Sequence, residues 1–101
     1  MIDIVQLVEE IYTNCDFYDD DAVREAESYI EEKMEEAGLD RDDWSWEVSR
    51  YPDEVVFYFY ENPHTQEVLD INWEIGDYYG YSVNPSESDE TTMVATITMS
   101  F

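Results

Sequence analysis

The sequence predicts an α+β domain in which two N-terminal helices pack on one face of a three- to five-stranded antiparallel β-meander. Three observations lead there. Apolar residues recur at helical spacing as far as Ala37, and beyond Gly38 the period shortens to two. The later segments are joined by short turns, which connect antiparallel neighbours. Helices followed by a run of strands bury their apolar sides most simply as one helical layer on one sheet. The whole chain, 1–101, reads as a single domain without repeats, linkers or low-complexity stretches.

The first helix is expected over about residues 2–13, because Ile4, Leu7, Val8, Ile11 and Tyr12 share a face that excludes Glu9 and Glu10. After a connection at Asn14–Tyr18, Asp19, Asp20 and Asp21 supply capping oxygens and charge suited to a helix N-terminus. Val23, Ala26, Ile30, Met34 and Ala37 form the apolar stripe of the second helix, and Gly38 stands where a C-terminal glycine belongs. Trp44, Trp46 and Val48 then alternate with Ser45, Glu47 and Ser49, which is strand spacing. Tyr51–Glu54 reads as a turn, and Val55–Tyr60, β-branched and aromatic throughout, as a central strand. Asn62–Thr65 reads as a second turn. Leu69, Ile71, Trp73 and Ile75 alternate with polar neighbours and predict a further strand. Gly76-Asp77 suits a tight turn, Tyr78–Val83 a short strand or irregular aromatic stretch, and Asn84–Glu90 a polar loop. Met93, Ala95, Ile97, Met99 and Phe101 give the last strand one apolar face.

With 44% hydrophobic and 16% aromatic residues, the chain has the material for a core that acidic disordered tails lack. The charge sets it apart. There are 27 Asp and Glu against four Lys and Arg, a formal net charge of -23. Solubility asks for only about 2–8 charges in a small domain, and the excess repels itself. A lone cysteine, Cys15, precludes an internal disulfide and fits a reducing compartment. The N-terminus lacks the basic and apolar regions of a signal peptide, and no run reaches transmembrane length. The expected location is the cytoplasm, with no membrane partner.

No catalytic set emerges. His64, the only histidine, lies in a predicted turn, and Cys15 belongs to another element. Pairs of carboxylates are unavoidable among 27 and carry no acid–base assignment. There is no glycine-rich phosphate loop. Asp16, Asp19, Asp20 and Asp21 lack the alternating spacing, central glycine and terminal glutamate of a calcium loop. The chain is therefore expected to be no enzyme, and to use no cofactor and no dedicated metal. Trp44, Trp46, Phe57, Phe59 and Trp73 are assigned to the core. Tyr58 and Tyr60 point the other way along their strand and are candidate contacts.

The acid is concentrated where it costs stability. The second helix carries Asp19, Asp20, Asp21, Glu25, Glu27, Glu31, Glu32, Glu35 and Glu36 against only Arg24 and Lys33. Over the roughly 27 Å of such a helix this is about one net charge per 4 Å, near the ~3.4 Å per phosphate of a DNA strand. Asp21 with Glu25, Glu27 with Glu31, Glu31 with Glu35 and Glu32 with Glu36 are like-charged pairs at i, i+4. Together they cost on the order of 1–2 kcal/mol. Asp42 and Asp43, and then Glu87, Asp89 and Glu90, continue the bias, so one large anionic face is expected.

These residues, with the small size, the aromatic content and the helix-plus-sheet layout, make the chain similar to the DNA-mimic proteins. That class includes phage antirestriction proteins, anti-CRISPR proteins and uracil-DNA glycosylase inhibitors. It is a resemblance of class, with no family motif among the residues. It implies a protein that binds no nucleic acid itself; the edge strands and tyrosines allow a homodimer as well as a monomer. Its partner would be a basic nucleic-acid-binding protein: a restriction enzyme, CRISPR effector, glycosylase, polymerase or nucleoid protein. Carboxylates would then meet the Lys and Arg that otherwise meet phosphates. Two other accounts of the acid are adaptation to high salt and an acidic chaperone for a basic protein. Three glycines and 16% aromatics speak against the first, since small residues are expected there.

Overall fold

In the computed structural model, which describes residues 1–101, two aspartates open the two long helices. Asp3 accepts from the N–H groups of Val5 and Gln6 at the start of α1 (Ile4–Thr13), and Asp19 accepts from that of Ala22 at the start of α2 (Asp20–Glu36). The far end of α2 closes on Gly38, whose φ of 86° lets its N–H and that of Leu39 reach back to the carbonyls of Glu35 and Met34. The strands are β1 (Trp44–Ser49), β2 (Glu54–Tyr60), β3 (Gly76–Tyr78), β4 (Tyr81–Pro85) and β5 (Met93–Ser100), with a short helix α3 (Pro63–Val68) after β2.

The fold is the predicted α+β arrangement of two N-terminal helices and a five-stranded antiparallel sheet. The sheet consists of two hairpins, β1–β2 and β3–β4, joined by β5, in the order β1-β2-β5-β4-β3. Val55, Phe57 and Phe59 of β2, Ala95 and Ile97 of β5 and Val83 of β4 point to one face. There they form a single core with Ile4, Val8 and Ile11 of α1 and Ala26, Ile30 and Met34 of α2. The opposite face has no helix. No helix is long and apolar enough to cross a membrane.

Three segments differ from the sequence expectation. Asn62–Thr65 is not a turn but the start of α3. The Asn62 side chain accepts from the Thr65 N–H, the Thr65 hydroxyl accepts from the Asn62 N–H, and Pro63 occupies the first turn, where it lacks no needed donor. Leu69–Ile75 alternates but does not form a strand. Only Leu69 bridges, in parallel, to Ile2, while Ile75 is exposed. Gly76-Asp77, expected as a turn, belongs to β3, and the tight turn falls at Tyr79-Gly80.

That turn seats α1. Gly80 has a φ of 91°, and a Cβ there would lie 2.8 Å from Cγ2 of Val5. Gly80→Ala is expected to destabilise the fold by about 2 kcal/mol or more, combining left-handed strain with the clash. Urea unfolding checks this. Adding Val5→Ala should recover the steric part and not the backbone part.

Candidate anionic interface

The helical layer and the sheet meet along a seam between α2 and β1. Core residues occupy one side of α2, so its carboxylates fan over the other half of the helix. Asp20, Glu27, Glu31 and Glu35 form the row nearest β1. Two adjoining grooves run along it. One, of about 460 Å³, is lined by Asp20, Val23, Glu27, Trp46, Glu47, Val48 and Arg50; the other, of about 300 Å³, by Glu31, Glu35, Leu39, Asp40, Arg41 and Trp44. The seam thus has an acidic rim over an apolar floor. Asp19 caps the helix, and Asp21, Glu25, Glu32 and Glu36 lie exposed on the remaining solvent side. Glu25 shares a depression with Asp16 beside Cys15, whose thiol is pushed up by burial and then by the Asp16 charge.

All four basic side chains are engaged within the chain. Arg24 pairs with Asp21 at 3.9 Å and Arg41 with Glu31 at 3.7 Å. Lys33 lies 3.6 Å from both Glu10 and Glu36. Arg50 donates to the Phe17 carbonyl and stacks over Phe101. Arg41 and Arg50 stand at the seam itself and offset part of the row of Asp20, Glu27, Glu31 and Glu35, which stays net negative.

The second set of predicted contacts lies on the helix-free face of the sheet. Tyr58 and Tyr60 of β2 line a cleft of about 500 Å³ with Ser86, Glu87, Val94 and Thr96. Tyr58 donates to Glu47 of β1 at 2.5 Å, and the Tyr60 and Ser45 hydroxyls are 2.7 Å apart. The bond to Glu47, burial and the charges of Glu47 and Glu87 push the Tyr58 phenol up to about 12. Asp89 is held by its own loop: it accepts from the Thr91 hydroxyl and N–H and from the Thr92 hydroxyl, which together keep its carboxyl below the usual range. Glu90 is exposed beside it.

The acid is therefore divided between two faces, with β1 at the boundary. This corrects the expectation of a single anionic face. Asp43 is a further correction, because it is 2% exposed and cannot meet a partner. Its oxygens accept from Asn62 Nδ2 at 2.8 Å, from the Asp40 N–H at 3.0 Å and from His64 Nδ1 at 2.8 Å. Burial alone would raise the Asp43 carboxyl; the Asp40 N–H, the Asn62 amide and His64 outweigh it and hold the group below its ordinary value. Asp42 stays exposed on the preceding turn, its N–H bonded to Asp40.

Asp40, Asp43 and His64 also bring three metal-type donor atoms within 4.8 Å of one another. Both Asp43 oxygens in this group already accept N–H donors, which makes the cluster a strut between the start of β1 and α3. Sequence spacing gave no sign of it, since His64 lies 21 residues from Asp43. Glu47 was the other residue missed. In the sequence it is only the polar member of an alternating strand, yet it accepts from Tyr58 and borders the seam. Comparison with protein-family models, with curated proteins and with solved structures finds no match to this chain.

Proposed function

We propose that this chain is a polyanionic inhibitor of the DNA-mimic type, which occupies the basic nucleic-acid-binding groove of a partner protein. One observation carries the reading: a row of carboxylates along α2, with Glu47 and Asp40 beside it, borders an apolar-floored seam that stays net negative with Arg41 and Arg50 as its only cations. Acid kept for folding would be interleaved with base, as like-charged pairs at i, i+4 only weaken a helix. Acid kept for solvation needs no floor of Val23, Trp46 and Val48 beside it. A surface that combines both suits a partner whose Lys and Arg sit in a partly apolar groove, where desolvation strengthens each charge pair. Encounter would be fast, steered and sensitive to salt.

The test is capture from nuclease-treated lysate, eluted on a salt gradient beside an equally charged unstructured peptide. The expected result is a nucleic-acid-binding protein that outlasts the control and is displaced by duplex DNA. Elution no later than the control would sink the reading and leave solvation at high salt as the account of the acid.

A further inference from the structure

We propose that the free edge of β1 receives an extended, basic segment of the partner as a sixth strand. The inference rests on the polyanion reading and specifies how the partner is held. β1 is an outer strand and pairs only with β2. The Tyr60 N–H bonds to the Asp43 carbonyl, which fixes the alternation of the ladder: Ser45, Glu47 and Ser49 turn their peptide groups toward β2. Trp44, Trp46 and Val48 direct theirs outward, where no other strand meets them. Such an edge is a template for another strand, and natural sheets usually cover it or arm it with lysine. Here it is unpaired, with net negative charge on both sides.

That charge selects the occupant. On the helical side stand Asp20, Glu27, Glu31 and Glu35 against Arg41 and Arg50, and on the open side Glu47, so the edge is net negative on both sides. A second copy of this chain, pairing edge to edge, would bring two acidic rims together. A strand from a basic protein would instead set every other side chain against the α2 row while its backbone completes the ladder. Main-chain bonds would supply register, and alternate Lys or Arg would supply selectivity. A helical or purely electrostatic partner would use the acid and leave the outward peptide groups of β1 unpaired.

The probe is a capped eight-residue peptide of alternating lysine and valine, titrated into the isotopically labelled full chain at near-physiological salt. Its control carries an N-methyl group on every backbone amide, which keeps charge and side chains but removes the donors. The unmodified peptide is expected to slow amide exchange of Trp44, Trp46 and Val48 by about tenfold or more, leaving Ser45 and Glu47 little changed, and to bind at least about tenfold more tightly than the control. Equal binding of both peptides without that protection overturns strand addition while leaving the anionic reading intact. Failure of both peptides to bind also overturns it. The polyanion reading itself falls only if, in addition, the lysate capture yields nothing beyond its control.

Discussion

Reversing Glu27, Glu31 and Glu35 together to lysine is expected to abolish capture of the basic partner, weakening it by about 100-fold or more. All three line the α2–β1 seam. Each change removes an attraction and adds a like charge facing the partner, and such juxtapositions cost several kcal/mol across an interface. The fold should survive. The new lysines repel one another at i, i+4 much as the glutamates did, but the net charge falls and cations near the C-terminal end of α2 suit its dipole. The lost Glu31–Arg41 pair is exposed, with Arg41 at 90%, and contributes little. Stability within about 1 kcal/mol of the parent is the expected accompaniment. Calorimetric titration against the captured partner, paired with thermal melting, reads both quantities. Undiminished binding would move the contact to the helix-free face with Tyr58, Tyr60, Glu87, Asp89 and Glu90.

The largest single-site loss of stability among the acidic residues is expected at Asp43. Asp43→Ala strands the Asn62 amide, the His64 ring and the Asp40 N–H in a buried setting and should cost about 3 kcal/mol. The same network carries a pH dependence. Its carboxyl titrates below the ordinary value of about 3.9, so its contribution is complete above that pH and is lost as pH falls through the lower, folded value. The difference in urea midpoint between the parent and Asp43→Asn should therefore be full at neutral pH and shrink below about pH 4. Taking a difference matters, because acid also relieves the repulsion among the other carboxylates in both proteins. A pH-independent gap would show that shape, and not charge, is what Asp43 provides.

Local patterning disclosed most of the architecture. The stripe of Val23, Ala26, Ile30 and Met34 can bury only as a helix, and the alternation from Val55 to Tyr60 only as a strand, because each period sets which side chains share a face. It failed where one residue pair serves two structures. Asn62-Pro63 is turn chemistry and equally the cap and first residue of a helix; Thr65 three residues on was the signal for the second, and α3 is too short to show a period. Leu69, Ile71 and Trp73 alternate because they pack against the core, with only Leu69 bridging to another segment, which a binary pattern cannot distinguish from a strand. Charge counting found the α2 row but gave Asp42 and Asp43 the same meaning. Burial separates them, and burial depends on Asn62 and His64, residues distant in sequence. The seam was likewise invisible, since it exists only once β1 is known to be the outer strand.

The position of β5 has a consequence for how the polypeptide matures. Its eight residues, Met93–Ser100, are made after both hairpins and are the piece that joins them. Until β5 is in place, neither hairpin has a neighbour for its inner strand, and Phe57 and Phe59 lack their partners Ile97 and Ala95. The loop that must close between β2 and β5 spans α3 and the whole β3–β4 hairpin, so the entropy of closure is met late and in one step. Before β5 docks, the high negative charge makes unfolded copies repel one another, which opposes pairing between their exposed strands.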